Sequence, residues 1–179
     1  MPHFPLFADL TGKRVLIVGD TPAAKQKAKI LAPFHADLQL IDSLTQEALT
    51  PAPALVILTG ENRREEAALC RSRNIPVNSA DDPENCTVFF PSLICRGDFC
   101  IGISSGGAAP AAGAALRREI EEALPENLEE ILPWLGQITA RLRQSIPDYD
   151  RRAKILAALS RDAFQKNRPL TGAELEKHM

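Results

Sequence analysis

Three observations predict an α/β fold built on a parallel sheet. Short runs of Val, Ile and Leu alternate with helix-forming segments through the first ninety or so residues, the mark of strands buried on both faces by crossover helices. The run Val15-Leu16-Ile17-Val18 ends in Gly19, and an Ala/Lys-rich helix follows at once. Beyond Pro125 the pattern becomes wholly helical. Together these predict a Rossmann-like parallel sheet domain, then a β-hairpin/helix segment, then an α-helical C-terminal domain, divided at 1–90, 91–124 and 125–179.

The elements follow in order. The first strand is expected at Arg14–Val18 and its helix from about Pro22 to Leu31. The second strand is Leu38–Ile41, and the third is Leu55–Leu58, closing on Thr59-Gly60. Glu65–Arg73 reads as a helix and Val77-Asn78 as a short strand. Thr87–Cys95 and Phe99–Ile103 then read as a hairpin joined by Arg96-Gly97-Asp98. A helix to about Leu124 follows Ser104-Ser105-Gly106-Gly107, and the tail holds helices at Leu128–Ile146, Asp148–Lys166 and near Ala173–Lys177. Pro133 leaves a second start open for the first of these, at Leu132 with the proline in the first turn.

A chain of 179 residues with 45% hydrophobic content buries one substantial core, with room for an appendage. A net charge of −2 and a pI near 5.9 give no global field for nucleic acid. Eight Lys/Arg stand against three Asp/Glu from Arg141 to Arg168, either a solvated helix face or a docking surface for a polyanionic small molecule. No apolar run reaches about 18 residues, so no membrane span is expected. The N-terminal Met-Pro-His-Phe-Pro-Leu-Phe lacks the regions of a signal peptide, and a cytoplasmic location is expected. Cys70, Cys86, Cys95 and Cys100 form no Cys-x-x-Cys pair and read as reduced thiols; with no His near Cys95 and Cys100, no metal site is expected.

Residues 15–24 carry a dinucleotide fingerprint of the Gly-x-Gly-x-x-Gly/Ala type with Thr21 at its second glycine. Gly19 makes the tight turn, and Ala24 is small enough for the helix to pack on the strand. Thr21 adds bulk, Pro22 removes one N–H, and Asp20 adds negative charge where a pyrophosphate would sit. The same residues also make a good helix start, with Thr21 as N-cap and Pro22 at the first helical position. Asp42, about twenty residues on, is placed to accept ribose hydroxyls and suits NAD better than NADP. The expected cofactor positions are Gly19, Thr21, Pro22, Ala23, Asp42, Ser43, Thr59 and Asn78.

Asn78-Ser79-Ala80-Asp81-Asp82-Pro83 follows a strand end. Its paired carboxylates either raise one another's pKa for proton transfer or form an Asx-turn before the proline. Ser104-Ser105-Gly106-Gly107 is either a tight strand-to-helix turn or an anion site built from N–H groups and hydroxyls.

These pieces in this order resemble the siroheme-synthase N-terminal module, the precorrin-2 dehydrogenase/sirohydrochlorin ferrochelatase family. The resemblance rests on Pro5-Leu6-Phe7, Val15–Gly19, Ala24 with Lys27-Ala28, Asn78 with Asp81 and Pro83, Phe90-Pro91-Ser92, Ile103–Gly107 with Pro110, and Arg117. It runs from the N-terminus to roughly Phe164. It implies NAD-linked oxidation of precorrin-2 to sirohydrochlorin and, in bifunctional members, insertion of Fe²⁺ as a second substrate. By position it makes Asp81 the catalytic general base and Ser104, Ser105, Gly106, Gly107 and Arg117 substrate-binding. It further implies an intertwined homodimer through about Pro91–Leu124, with the macrocycle between the nucleotide domain and the helical tail. The substrate's eight carboxylates would give the basic stretch a purpose. The chain departs from the family at Asp20-Thr21-Pro22 and at Ala109, where a serine is usual. Two other readings stay open: a chelatase that no longer binds NAD, and a non-catalytic tetrapyrrole carrier or regulatory subunit. No attached methyltransferase domain is expected.

Overall fold

The computed structural model describes residues 3–80, 82–106 and 109–179, with only the backbone of Pro110. Asp81 and Gly107, both expected at the site, lie outside the described residues. The chain divides into two compact units, one running up to Phe90 and taking in Gly106, the other comprising Pro91–Ser105 with Ala109–Met179.

The first unit is a four-stranded parallel sheet. Its strands are β1 (Arg14–Val18), β2 (Asp37–Ile41), β3 (Leu55–Leu58) and β4 (Val77–Ser79), in the order β2-β1-β3-β4. Val15–Val18 of β1 pair with β2 on one side and with Leu55–Leu58 on the other. The central strands are continuous apolar runs because both faces are covered. Leu16, Val18, Val56, Leu58 and Val77 pack with Ala67 and Cys70 of α2 (Arg64–Ser72). Val15, Ile17, Leu55 and Ile57 pack with Ala24 and Leu31 of α1 (Pro22–Leu31). The doubly covered α/β architecture read from the sequence is the one found.

In the second unit β5 (Ser92–Arg96) and β6 (Phe99–Ile103) form an antiparallel hairpin. Only Gly97, at the first of the two central turn positions, has a positive φ (+56°), the pattern of a II′ turn. The helices are α3 (Pro110–Ala123), α4 (Leu128–Ser145), α5 (Tyr149–Lys166) and α6 (Gly172–Glu176). Ile131, Leu135, Ile138 and Leu142 of α4 close on Ile155, Leu159 and Ala163 of α5 and on Leu170. Their spacing of three and four residues is one helical face.

One expectation is corrected, and one open alternative is decided. The first hairpin strand begins at Ser92, not Thr87. Thr87 and Val88 donate their N–H groups to the Val77 carbonyl (2.8 and 3.2 Å), so this stretch clasps β4 and is lost to the hairpin. Pro91, with no N–H, is a natural end to strand pairing. The helix containing Pro133 starts at Leu128, as the first of the two readings has it, and the later start at Leu132 is not taken. Buried Leu128 extends the apolar stripe one turn earlier, and the Asn167 side chain accepts the Asn127 N–H (3.0 Å). These contacts outweigh the hydrogen bond that an interior proline forfeits.

Candidate functional site

The carboxyl ends of β1, β2 and β3 meet at Gly19. Its φ of +100° suits glycine, and a Cβ there would lie 2.7 Å from the Thr59 carbonyl and 2.9 Å from Thr59 Oγ1. Thr59 is fully buried and donates its hydroxyl proton to the Val18 carbonyl (2.8 Å). The proton in the 2.8 Å contact between Thr21 Oγ1 and Thr59 Oγ1 must therefore come from Thr21. Thr21 Oγ1 in turn accepts the Ala24 N–H (3.1 Å) as the N-cap of α1. One directed chain thus runs from Ala24 through Thr21 and Thr59 to Val18. It holds the Thr21 side chain back against β3, toward Gly60.

Pro22 occupies the first helical position behind the Thr21 cap, the helix start expected from the sequence. Ala24 N–H is spent on the cap and Pro22 has none to give. The N–H groups of Asp20, Thr21 and Ala23 carry no hydrogen bond among the described residues. Asp20 is answered by Lys25 at 3.1 Å, which offsets its charge beside the loop. A dinucleotide diphosphate fits this arrangement: a glycine turn that a side chain would block, three open donors at a helix N-terminus, and bulk folded away from the approach.

Arg63, which the sequence analysis did not single out, ties the strand ends together. Its Nε donates to the Thr59 carbonyl (3.0 Å), Nη1 to both Glu66 oxygens (3.0 Å each), and Nη2 to the Asp42 carbonyl (3.3 Å). Glu66 also accepts the Leu44 N–H (2.9 Å). The guanidinium thereby spans β3, α2 and the end of β2, leaving the Asp42 and Ser43 side chains exposed. The only sequence signal was the i, i+3 spacing of Arg63 and Glu66 at a helix start.

Asn78 lies in β4 and is buried. Its Nδ2 donates to the Val88 carbonyl (3.0 Å), while its Oδ1 is buried without a partner among the described residues. Cys86 accepts the Ser79 N–H (3.1 Å) through sulfur, and burial pushes its thiol pKa up. Lys27 of α1 sits 4.0 Å over the Phe90 ring, and burial lowers its ammonium pKa. Asp82, the neighbour of the expected base, is committed to Asn85 Nδ2 (2.7 Å) and Arg64 (3.4 Å).

In the second unit Ser104 and Ser105 follow β6 and are exposed, and Ser105 Oγ accepts the Ala109 N–H (3.2 Å). Gly106, which belongs to the first unit, has a φ of +64°. Arg117 is ion-paired with Glu121, which also takes Arg96 at 2.9 Å. Two guanidiniums share one carboxylate, so the cluster keeps an excess positive charge. The structure therefore gathers Gly19, Thr21, Pro22, Ala23, Asp42 and Thr59 at one sheet edge. Asn78 stands on the adjoining strand, and Ser104, Ser105 and Arg117 belong to the other unit. Among the described residues no three His, Cys, Asp or Glu side chains gather as a metal cluster, and no helix is long and apolar enough to cross a membrane.

Residues 46–92 match a family described as "Putative NAD(P)-binding". A siroheme synthase of Tolumonas auensis is 30% identical over 199 residues, covering 99% of this chain and 42% of that protein. A siroheme synthase of Thiobacillus denitrificans is 31% identical over 176 residues, covering 86% and 37%. The chain thus spans about two fifths of the length of these relatives. Among solved structures, one described as "SirC, precorrin-2 dehydrogenase" superposes with a TM-score of 0.69 at 15% identity, covering 98% of this chain and 96% of that one. At that identity the likeness shows the fold.

Proposed function

The chain belongs to the siroheme-synthase N-terminal module family, and from that premise we propose that it oxidises precorrin-2 to sirohydrochlorin. When bound, NAD⁺ supplies the hydride acceptor. The observation that carries the reading is the Gly19 turn, closed by Thr59 and flanked by open N–H groups. The donors of Asp20, Thr21 and Ala23 hold the diphosphate, and the exposed Asp42 carboxylate accepts ribose hydroxyls and repels a 2′-phosphate. Pro22 presets the backbone of the first turn. Ser43, Thr59 and Asn78 complete the cofactor side.

Loss of hydride from the macrocycle must be matched by loss of a proton, and Asp81 takes it as general base. Ser104, Ser105, Gly106, Gly107 and Arg117 hold the tetrapyrrole, whose carboxylates meet the unshared charge of the Arg96/Arg117 pair. Dimerisation runs through residues 91–124, between the nucleotide domain (1–90) and the helical C-terminal domain (125–179). Insertion of Fe²⁺ into sirohydrochlorin, with the metal as substrate, uses the same base. A cytoplasmic setting suits both steps.

One observation favours a second reading, a chelatase without NAD: Pro22 and the capped Ala24 remove two donors from the first turn of α1. Calorimetric titration with NAD⁺ and the absorbance change of precorrin-2 on oxidation decide between the two. The wild type is expected to bind NAD⁺ and turn over precorrin-2. Asp81→Asn is expected to lose roughly 10²–10⁴-fold in kcat while binding NAD⁺ as tightly as wild type. No binding at millimolar NAD⁺ would sink the dehydrogenase, leaving metal insertion into supplied sirohydrochlorin as the activity. Wild-type rates in Asp81→Asn would remove Asp81 from the mechanism.

A further inference from the structure

The proposed reaction uses none of the four cysteines. Cys70 is buried, and Cys86 is engaged with the Ser79 backbone. Cys95 and Cys100 are different: they are direct cross-strand partners in the β5–β6 hairpin, one step in from the Arg96–Phe99 pair that flanks the turn. In a two-residue hairpin the pair flanking the turn exchanges the ladder hydrogen bonds, so the next pair is a non-hydrogen-bonded one. In such pairs the Cα atoms stand about 4.5 Å apart with side chains on one face. That spacing lies within the roughly 4.4–6.8 Å over which a disulfide forms. The two sulfurs are already in contact at 2.8 Å, and both residues are half-buried, not sealed in the core.

We propose that Cys95 and Cys100 are an oxidisable dithiol, a modification site that converts to an intramolecular disulfide without moving the backbone. The oxidant class is a low-molecular-weight disulfide of the glutathione type. One cysteine, as thiolate, attacks it, forming a mixed disulfide and releasing one reduced thiol. The other then attacks the protein-side sulfur, closing the intramolecular S–S bond and releasing the second reduced thiol. The protein loses two hydrogens and two electrons, and the small disulfide gains them. Burial, and with it the neighbouring thiol, push the Cys95 thiol up to about 11, so little of it is thiolate at neutral pH. The bond would tie the turn end of β6, the strand that leads at its other end into Ser104-Ser105.

The test treats the full native chain with oxidised glutathione, then alkylates it after denaturation and determines intact and peptide masses. Alkylatable thiols are expected to fall from four to two, with a Cys95–Cys100 cross-linked peptide and a mass lower by two hydrogens before alkylation. Cys95→Ser and Cys100→Ser should each retain a glutathione adduct on the remaining partner. Circular dichroism should show that both variants keep the wild-type fold. Four alkylatable thiols in the treated wild type would overturn the proposal. So would a persistent glutathione adduct on it, a link through Cys70 or Cys86, or a disulfide-bonded dimer on a non-reducing gel.

Discussion

At Gly19 a single added methyl group meets backbone. The Thr59 carbonyl at 2.7 Å is part of the sheet and cannot retreat as a flexible side chain would. A positive φ adds about 1–2 kcal/mol for an L-residue, and overpacking typically adds 1–3 kcal/mol. Gly19→Ala is therefore expected to lose about 2–5 kcal/mol in urea unfolding and at least tenfold in NAD⁺ affinity by calorimetry. A variant with wild-type stability and affinity would show that the turn opens freely. Thr21→Val keeps the shape and removes the hydroxyl. The Ala24 N–H then loses its cap and Thr59 its donor, for a stability loss of about 1 kcal/mol. At this scale Gly19 was legible because few residues tolerate its backbone angles, and Thr21-Pro22 because the pair is itself a helix-start signal. Arg63 was not legible. Its partners, the Asp42 carbonyl and the Thr59 carbonyl, come together only once β2 and β3 are placed in one sheet.

At the scale of elements, Arg63 and Glu66 act as a clasp over the carboxyl edge of the sheet. Their side chains are 19% and 16% exposed, so the pair is only weakly screened, while Glu66 also secures the Leu44 backbone. Removing the guanidinium frees two carbonyl acceptors and one carboxylate at once. Arg63→Ala is expected to lower unfolding free energy by about 1–3 kcal/mol, less than a fully buried pair because some solvent remains. A double-mutant cycle with Glu66→Ala should give a coupling of about 1 kcal/mol, and a coupling near zero would reduce the clasp to independent surface contacts. The strands β1 and β3 could be read from sequence to the residue because burial on both faces leaves an unbroken apolar run. Element ends were harder where a distant partner competes for the backbone. The β4 clasp takes Thr87 and Val88 from the hairpin, and Asn167 helps secure the turn of α4 that precedes Pro133.

At the scale of the whole molecule, the basic stretch from Arg141 to Arg168 divides into two groups that sequence alone could not separate. Lys166 and Arg168 are bound to Glu174 (3.0 Å each), and Arg152 donates to the Ile146 and Pro147 carbonyls (2.6 and 2.7 Å). Arg151 likewise donates to the Met179 backbone oxygen (3.4 Å), while Arg141, Arg143, Lys154 and Arg161 have neither an ion pair nor a side-chain hydrogen bond among the described residues, so they carry the unanswered charge. Glu174 is the hub that ties the end of α5 to α6. Its carboxylate also accepts the Thr171 N–H in a capping box, and these donors hold its pKa far below the usual glutamate range. Because the folded pKa is depressed, this contribution to stability is fully present above the ordinary glutamate value of 4.5 and is lost as pH falls through the folded pKa. At neutral pH the wild type should therefore unfold at a higher temperature than Glu174→Gln. The gap should close as the pH is lowered below 4.5, and it should narrow at high salt, as expected for a screened ion network. Glu176→Gln, two residues on and outside the network, should track the wild type throughout. A Glu174→Gln gap that stays constant from neutral to strongly acidic pH would show that packing, and not this carboxylate, joins α6 to α5.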